Sequence, residues 1–254
     1  MEQTQKIIQE GKQQFLNELI ELLKIPSVSA DSSYDHDTKR CAEWVKSAMD
    51  SVGLQNAKIY ETAGHPVVFG EFIKNDSLPT VLIYGHYDVQ PPDPLELWAS
   101  PPFEPVVKNE KIYARGAADD KGQFYMYFAA IKSMIEADEV PCNIKVLIEG
   151  EEEVGSENLE AFVLNNKDLL SNDVILISDT HMISNDNPSI TAGLKGLAYM
   201  EVEVTGPNRD LHSGTFGGSV ANPVNILCKM IASLTNEKNQ ITIPCFYDKV
   251  VEVS

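Results

Sequence analysis

Short apolar runs alternating with stretches of helical periodicity restrict this chain's fold more than any other feature. Thr80–Tyr84, Asn143–Glu149 and Asp173–Ser178 read as strands, while Ile7–Leu23, Thr38–Ser51, Phe124–Ala137 and Ser156–Leu164 carry helical patterns. Parallel neighbours in a sheet need a crossover, usually a helix, so this order predicts an α/β fold: a mixed, largely parallel sheet flanked by helices. Further short strands are predicted at Ala57–Tyr60, Val67–Phe72 and Lys111–Ala114. The stretch QPPDPLELWASPPFEP is too proline-rich for regular structure and reads as a fixed surface loop.

After Pro188 the pattern changes. Leu197–Thr205 alternates as a half-exposed strand should, a helix is predicted from Ala221 to Leu234, and a short strand at Ile241–Ile243. These spacings divide the chain into a domain over 1–192 and a second unit over 193–254. At roughly 60 residues the second is near the lower limit for independent stability, which predicts an incomplete unit.

A chain of 254 residues can bury a sizeable core, and its formal net charge of −18 argues against a nucleic-acid surface, which relies on clustered Lys and Arg. The four cysteines lack paired spacing and are expected to be reduced thiols. No stretch approaches the roughly 20 apolar residues of a membrane span, and the charged first helix lacks the apolar centre of a signal peptide. These features suggest a cytoplasmic protein with neither membrane nor nucleic-acid partner.

Four polar clusters follow predicted strands: His86/Asp88, Asp119/Asp120, Glu151/Glu152/Glu153 and Asp179. Taken singly, each has an ordinary explanation. His86 and Asp88 could be a hydrogen-bonded pair, Asp119-Asp120 a helix cap, the glutamates a solvated face and Asp179 a turn residue. Together they invite another reading, because open parallel sheets bind ligands beyond the carboxyl ends of their strands. Several carboxylates converging there would require cations, and one imidazole among oxygens suits zinc, manganese or a similar divalent metal.

Read in order, the stretches YGHYDVQP, WASPPFEP, IYARGAADDKGQ, IEGEEEVGSENL, LISDT, ITAGLKG and DLHSGTFGGSVANP resemble those of the di-zinc metallopeptidases of the carboxypeptidase, aminoacylase and dipeptidase kind. Within that family they look like the cytosolic non-specific dipeptidase and carnosinase branch. The resemblance implies a zinc-exopeptidase-like catalytic domain over 1–192 and part of an α+β lid and dimerisation domain over 193–254. It implies two divalent ions, zinc with manganese or cobalt as alternatives. His86 and Asp179 would bind one ion, Asp119 would bridge both, and Glu153 would bind the other. Asp88 would fix the His86 ring, Glu152 would act as general base, and His212 would reach a neighbouring subunit's substrate. Expected partners are a dipeptide or small peptide and, in the complete protein, a second copy forming a homodimer.

The sequence departs from the family's pattern in one respect. The family's second ion has a further histidine ligand beyond the lid, whereas the histidines here are His36, His65, His86, His181 and His212. The expectation is an N-terminal fragment that binds metal weakly and hydrolyses little, with His181 a poor substitute for the missing ligand. Two alternatives remain: an amidohydrolase of N-acyl amino acids, of the aminoacylase or desuccinylase type, and a non-catalytic acidic domain that binds a metal or a partner.

Overall fold

The computed structural model describes residues 1–184 and 186–251. Contacts divide the chain into two compact units, Met1–Ile190 and Thr191–Ser254. The first unit opens with α1 (Glu2–Leu23) and α2 (Asp35–Ser51), followed by β1 (Gln55–Tyr60), β2 (Val67–Phe72) and β3 (Thr80–His86). The proline-rich loop then leads into a hairpin of β4 (Val106–Lys108) and β5 (Lys111–Tyr113). Next come α3 (Lys121–Glu136), β6 (Asn143–Glu149), α4 (Leu159–Asn165) and β7 (Val174–Ile177).

The main sheet has the order β1-β2-β6-β3-β7. β6 pairs in parallel with β3, and β3 in parallel with β7, while β2 runs antiparallel to both β1 and β6. Four of its five strands therefore point the same way. β6 lies at its centre with all seven residues buried, Asn143, Lys145 and Glu149 among them, as suits a strand covered on both faces.

Alternation along the strands sorts the core into two layers. Val68, Ile83, Ile144, Val146 and Ile148 face α1, α2 and α3, meeting Leu22, Val45, Met49, Phe124, Phe128 and Ile131. Val67, Phe69, Leu82 and Leu147 point the other way, toward Phe162 of α4 and Leu170 beyond it. Each large apolar side chain buried this way contributes roughly 1.5–3 kcal/mol.

Element boundaries differ from the sequence reading in instructive ways. β3 continues two residues past Tyr84, because His86 is paired with Glu149 of β6. α3 begins three residues before Phe124, at Lys121, whose buried ammonium donates to the carbonyls of Leu22 (3.4 Å) and Ile25 (2.6 Å) at the end of α1. Apolar periodicity alone misses a polar residue inside a helix's buried turn.

In the second unit, α5 (Ser213–Phe216) precedes α6 (Pro223–Ala232). Pro223 stands where a helix's first turn tolerates it, and the Asn222 carboxamide caps the helix by accepting from the amides of Val224 (2.9 Å) and Asn225 (3.4 Å). Leu197–Thr205 is not a strand among the described residues, contrary to its alternating pattern. Alternation supplies a face, but a strand also needs a neighbour to pair with. Ile241–Ile243 likewise forms only an isolated bridge, between Ile241 and Thr235. No described helix is long and apolar enough to cross a membrane.

Candidate metal centre

The parallel register of β6, β3 and β7 brings distant residues to one end of the sheet. His86 ends β3 directly opposite Glu149 of β6, and Tyr84 is level with Ile177 of β7, two residues before Asp179. The Nε2 atom of His86 lies 3.1 Å from Asp119 Oδ1, 3.5 Å from Asp179 Oδ2 and 3.9 Å from Glu152 Oε2. Ligand atoms of His86, Asp119 and Asp179 all lie within 4.8 Å of one another, as do those of His86, Glu152 and Glu153. His181 belongs to neither group.

Behind the ring, Asp88 is fully buried and heavily bonded. Its Oδ1 lies 3.2 Å from His86 Nδ1 and accepts from the Glu152 amide at 3.2 Å. Its Oδ2 accepts from the Glu153 amide (3.1 Å) and from the Ser29 hydroxyl (2.6 Å). A proton held on Nδ1 leaves Nε2 facing the carboxylates, the arrangement a metal-binding imidazole needs.

The glutamate triplet divides. Glu151 turns away from the cluster, its carboxylate held by Asn158 Nδ2 at 3.0 and 3.1 Å. Glu152 and Glu153 stay with His86 on a single helical turn, Glu152–Val154, which Gly155 ends at a φ of 97°, a left-handed conformation costly for residues with a Cβ. Asp120 caps α3 by position, yet its side chain makes no cap bond and turns to accept from the His86 amide at 3.0 Å.

Without a cation, the charges of this cluster are in conflict. Burial would lower the His86 pKa, but the hydrogen bond and charge of Asp88, with the charges of Asp120 and Glu152, push it up to about 10. Burial raises Asp120 to about 7, and it raises Glu152 and Glu153 above the usual carboxylate range. The buried Asp120 Oδ1 has no hydrogen-bond partner among the described residues. One nitrogen among oxygens is a donor set that fits a divalent ion, whose charge would offset the carboxylates gathered here.

Three supporting residues escaped the sequence reading. Ser29 lies 59 residues before Asp88 and carries no local signal. Gln123 Nε2 donates to the carbonyls of Ser178 (2.8 Å) and Thr180 (3.1 Å), clamping the turn that presents Asp179. Gln90, inside the quoted YGHYDVQP, donates to Glu153 Oε2 at 2.6 Å. His212 lies in the second unit, exposed, where its Nδ1 accepts from the Gly214 amide at 3.0 Å.

The model of peptidase family M20/M25/M40 matches residues 82–243. The chain belongs to this family. It is 34% identical to the Cys-Gly metallodipeptidase dug1 of Schizosaccharomyces pombe, over 98% of this chain and 55% of that relative. It is 39% identical to the human Beta-Ala-His dipeptidase, over 74% of this chain and 38% of that protein. Among solved structures, the M20 metallo-carboxypeptidase Sso-CP2 of Sulfolobus solfataricus superposes with a TM-score of 0.81 at 38% identity, covering 94% of this chain and 54% of that one. The chain spans about half the length of these relatives. The α/β architecture and metallopeptidase membership expected from the motifs are thereby established.

Proposed function

We propose that the whole protein is a cytoplasmic dipeptidase whose side chains would hold two divalent ions, zinc by preference, for hydrolysis of the peptide bond. The observation that carries this reading is the meeting of His86, Asp119 and Asp179 at one sheet end, with Glu152 beside the same imidazole nitrogen. The dipeptidase names of the relatives and the four free cysteines support it. His86 and Asp179 would hold one ion, Asp119 would bridge, and Glu153 would hold the other. Bound there, the ions would supply Lewis acidity, lowering the pKa of a water and polarising the scissile carbonyl. Glu152 accepts the water's proton and returns it to the departing amine, a role suited to a carboxyl whose pKa burial has raised. Asp88 keeps the His86 ring turned toward the ions. Residues 1–192 form the catalytic domain and 193–254 part of a lid that pairs two copies, placing His212 against a neighbour's substrate.

Glu152→Gln in the complete protein tests the reading, because it removes the base and leaves the ligands in place. Hydrolysis of Cys-Gly and β-Ala-His should fall about 10²–10⁴-fold while bound metal is retained. Unchanged turnover would refute it, as would faster hydrolysis of N-acyl amino acids than of dipeptides by the unmutated protein.

A further inference from the structure

The segment following α1 runs directly beneath the candidate metal centre and is fastened there at several points. The buried ammonium of Lys121 donates to the Ile25 carbonyl at 2.6 Å. Ser27 Oγ donates to the Tyr87 carbonyl at 2.6 Å, and the Ser27 carbonyl accepts from the Val89 amide at 2.9 Å. Val28 and Val89 form a parallel bridge. The strap is thus zipped along Tyr87–Val89 and sets Ser29 Oγ 2.6 Å from Asp88 Oδ2.

Each Asp88 oxygen serves a different part of the cluster. Oδ1 holds the His86 ring and the Glu152 amide, and Oδ2 holds the Glu153 amide. One carboxylate therefore joins both candidate ligand groups, and the Ser29 hydroxyl is the only side-chain donor, besides His86 itself, among the described bonds to it. With that hydroxyl gone, Asp88 could rotate about its side-chain bonds, moving the imidazole and the Glu152–Glu153 turn together.

We propose that Ser29 is a positioning residue of the metal centre, acting through Asp88 to set His86 and the Glu152–Glu153 turn in register for one bound metal cluster. The inference rests on the metal reading above but assigns the role to a residue that touches no ligand atom. Outer partners of this kind commonly change metal affinity by 10- to 100-fold, on the order of one or two decades.

The test is a titration of the complete protein with Co²⁺, followed by its visible absorption, in the unmutated form and in the Ser29→Ala and Ser29→Thr variants. Ser29→Ala should weaken Co²⁺ binding on the order of tenfold and shift the visible bands, and Ser29→Thr, which keeps the hydroxyl, should restore both. An alanine variant with unchanged affinity and bands overturns the role of Ser29 and leaves the metal reading standing. So does one that melts earlier, with and without metal alike, while its spectrum is unchanged, because that describes scaffolding only. Equal loss in the threonine variant also overturns it. Failure of the unmutated complete protein to bind Co²⁺ overturns the metal reading and, with it, the role of Ser29.

Discussion

His86 and Asp119 are separated by 33 residues in the chain, yet His86 Nε2 and Asp119 Oδ1 lie 3.1 Å apart. His86 is fully buried and Asp119 largely exposed, so this pair reaches from the sheet's end into solvent, where an ion could enter. Asp119→Asn preserves the shape and removes the charge. We expect zinc affinity, measured by calorimetry at neutral pH, to fall at least about tenfold. An unchanged dissociation constant would exclude Asp119 from the ligand set.

Gly85 explains how Asp120 fits beneath His86. A Cβ at this position would lie 2.5 Å from Asp120 Oδ2 and 2.9 Å from the Phe124 Cβ, so Gly85→Ala must displace the buried carboxylate or the start of α3. Overpacking of this kind costs about 1–3 kcal/mol, read as a lower urea midpoint. Gly193→Ala, where nothing lies within 4 Å, is the matched control and should leave the midpoint unchanged. Equal midpoints for the two variants would contradict the close approach.

Glu139 ties the start of α1 to the turn after α3. The terminal ammonium of Met1, followed by the hydroxyl and amide of Thr4, lowers its pKa from 4.5 to about 2. A carboxyl whose folded pKa is depressed adds stability above its unfolded value and loses it as pH falls through the folded one. The melting temperature of the chain should therefore exceed that of Glu139→Gln at neutral pH, and the gap should close between about pH 4.5 and about pH 2. A constant gap over that range would show that the carboxylate's charge is not involved.

Local pattern made much of the fold legible. The strand over Asn143–Glu149 and the apolar-rich helix over Phe124–Ala137 are features of neighbouring residues, and the structure has both, the helix starting three residues earlier at Lys121. Leu197–Thr205 shows the limit of that reading, since its alternation has no paired neighbour among the described residues. The site was legible as four clusters and a family motif, but its internal division was not: Glu151 and Glu152 are adjacent in sequence, yet one meets Asn158 and the other His86. Ser29 and Gln123 gave no sign at all, because a serine or glutamine becomes a support only when a distant partner is brought within 3 Å or so.

By itself the sequence determined which segments of the first unit are helices and strands with a buried face, though not their first residues, and which side chains can bind a cation, since those depend on side-chain chemistry and short-range geometry. Only the tertiary structure decided that β6, β3 and β7 share one direction and register, so that His86, Asp119 and Asp179 meet while Glu151 turns away. The physical reason is that electrostatic coupling and hydrogen bonding fall off within a few ångströms, and such distances between remote residues exist only after the sheet has paired.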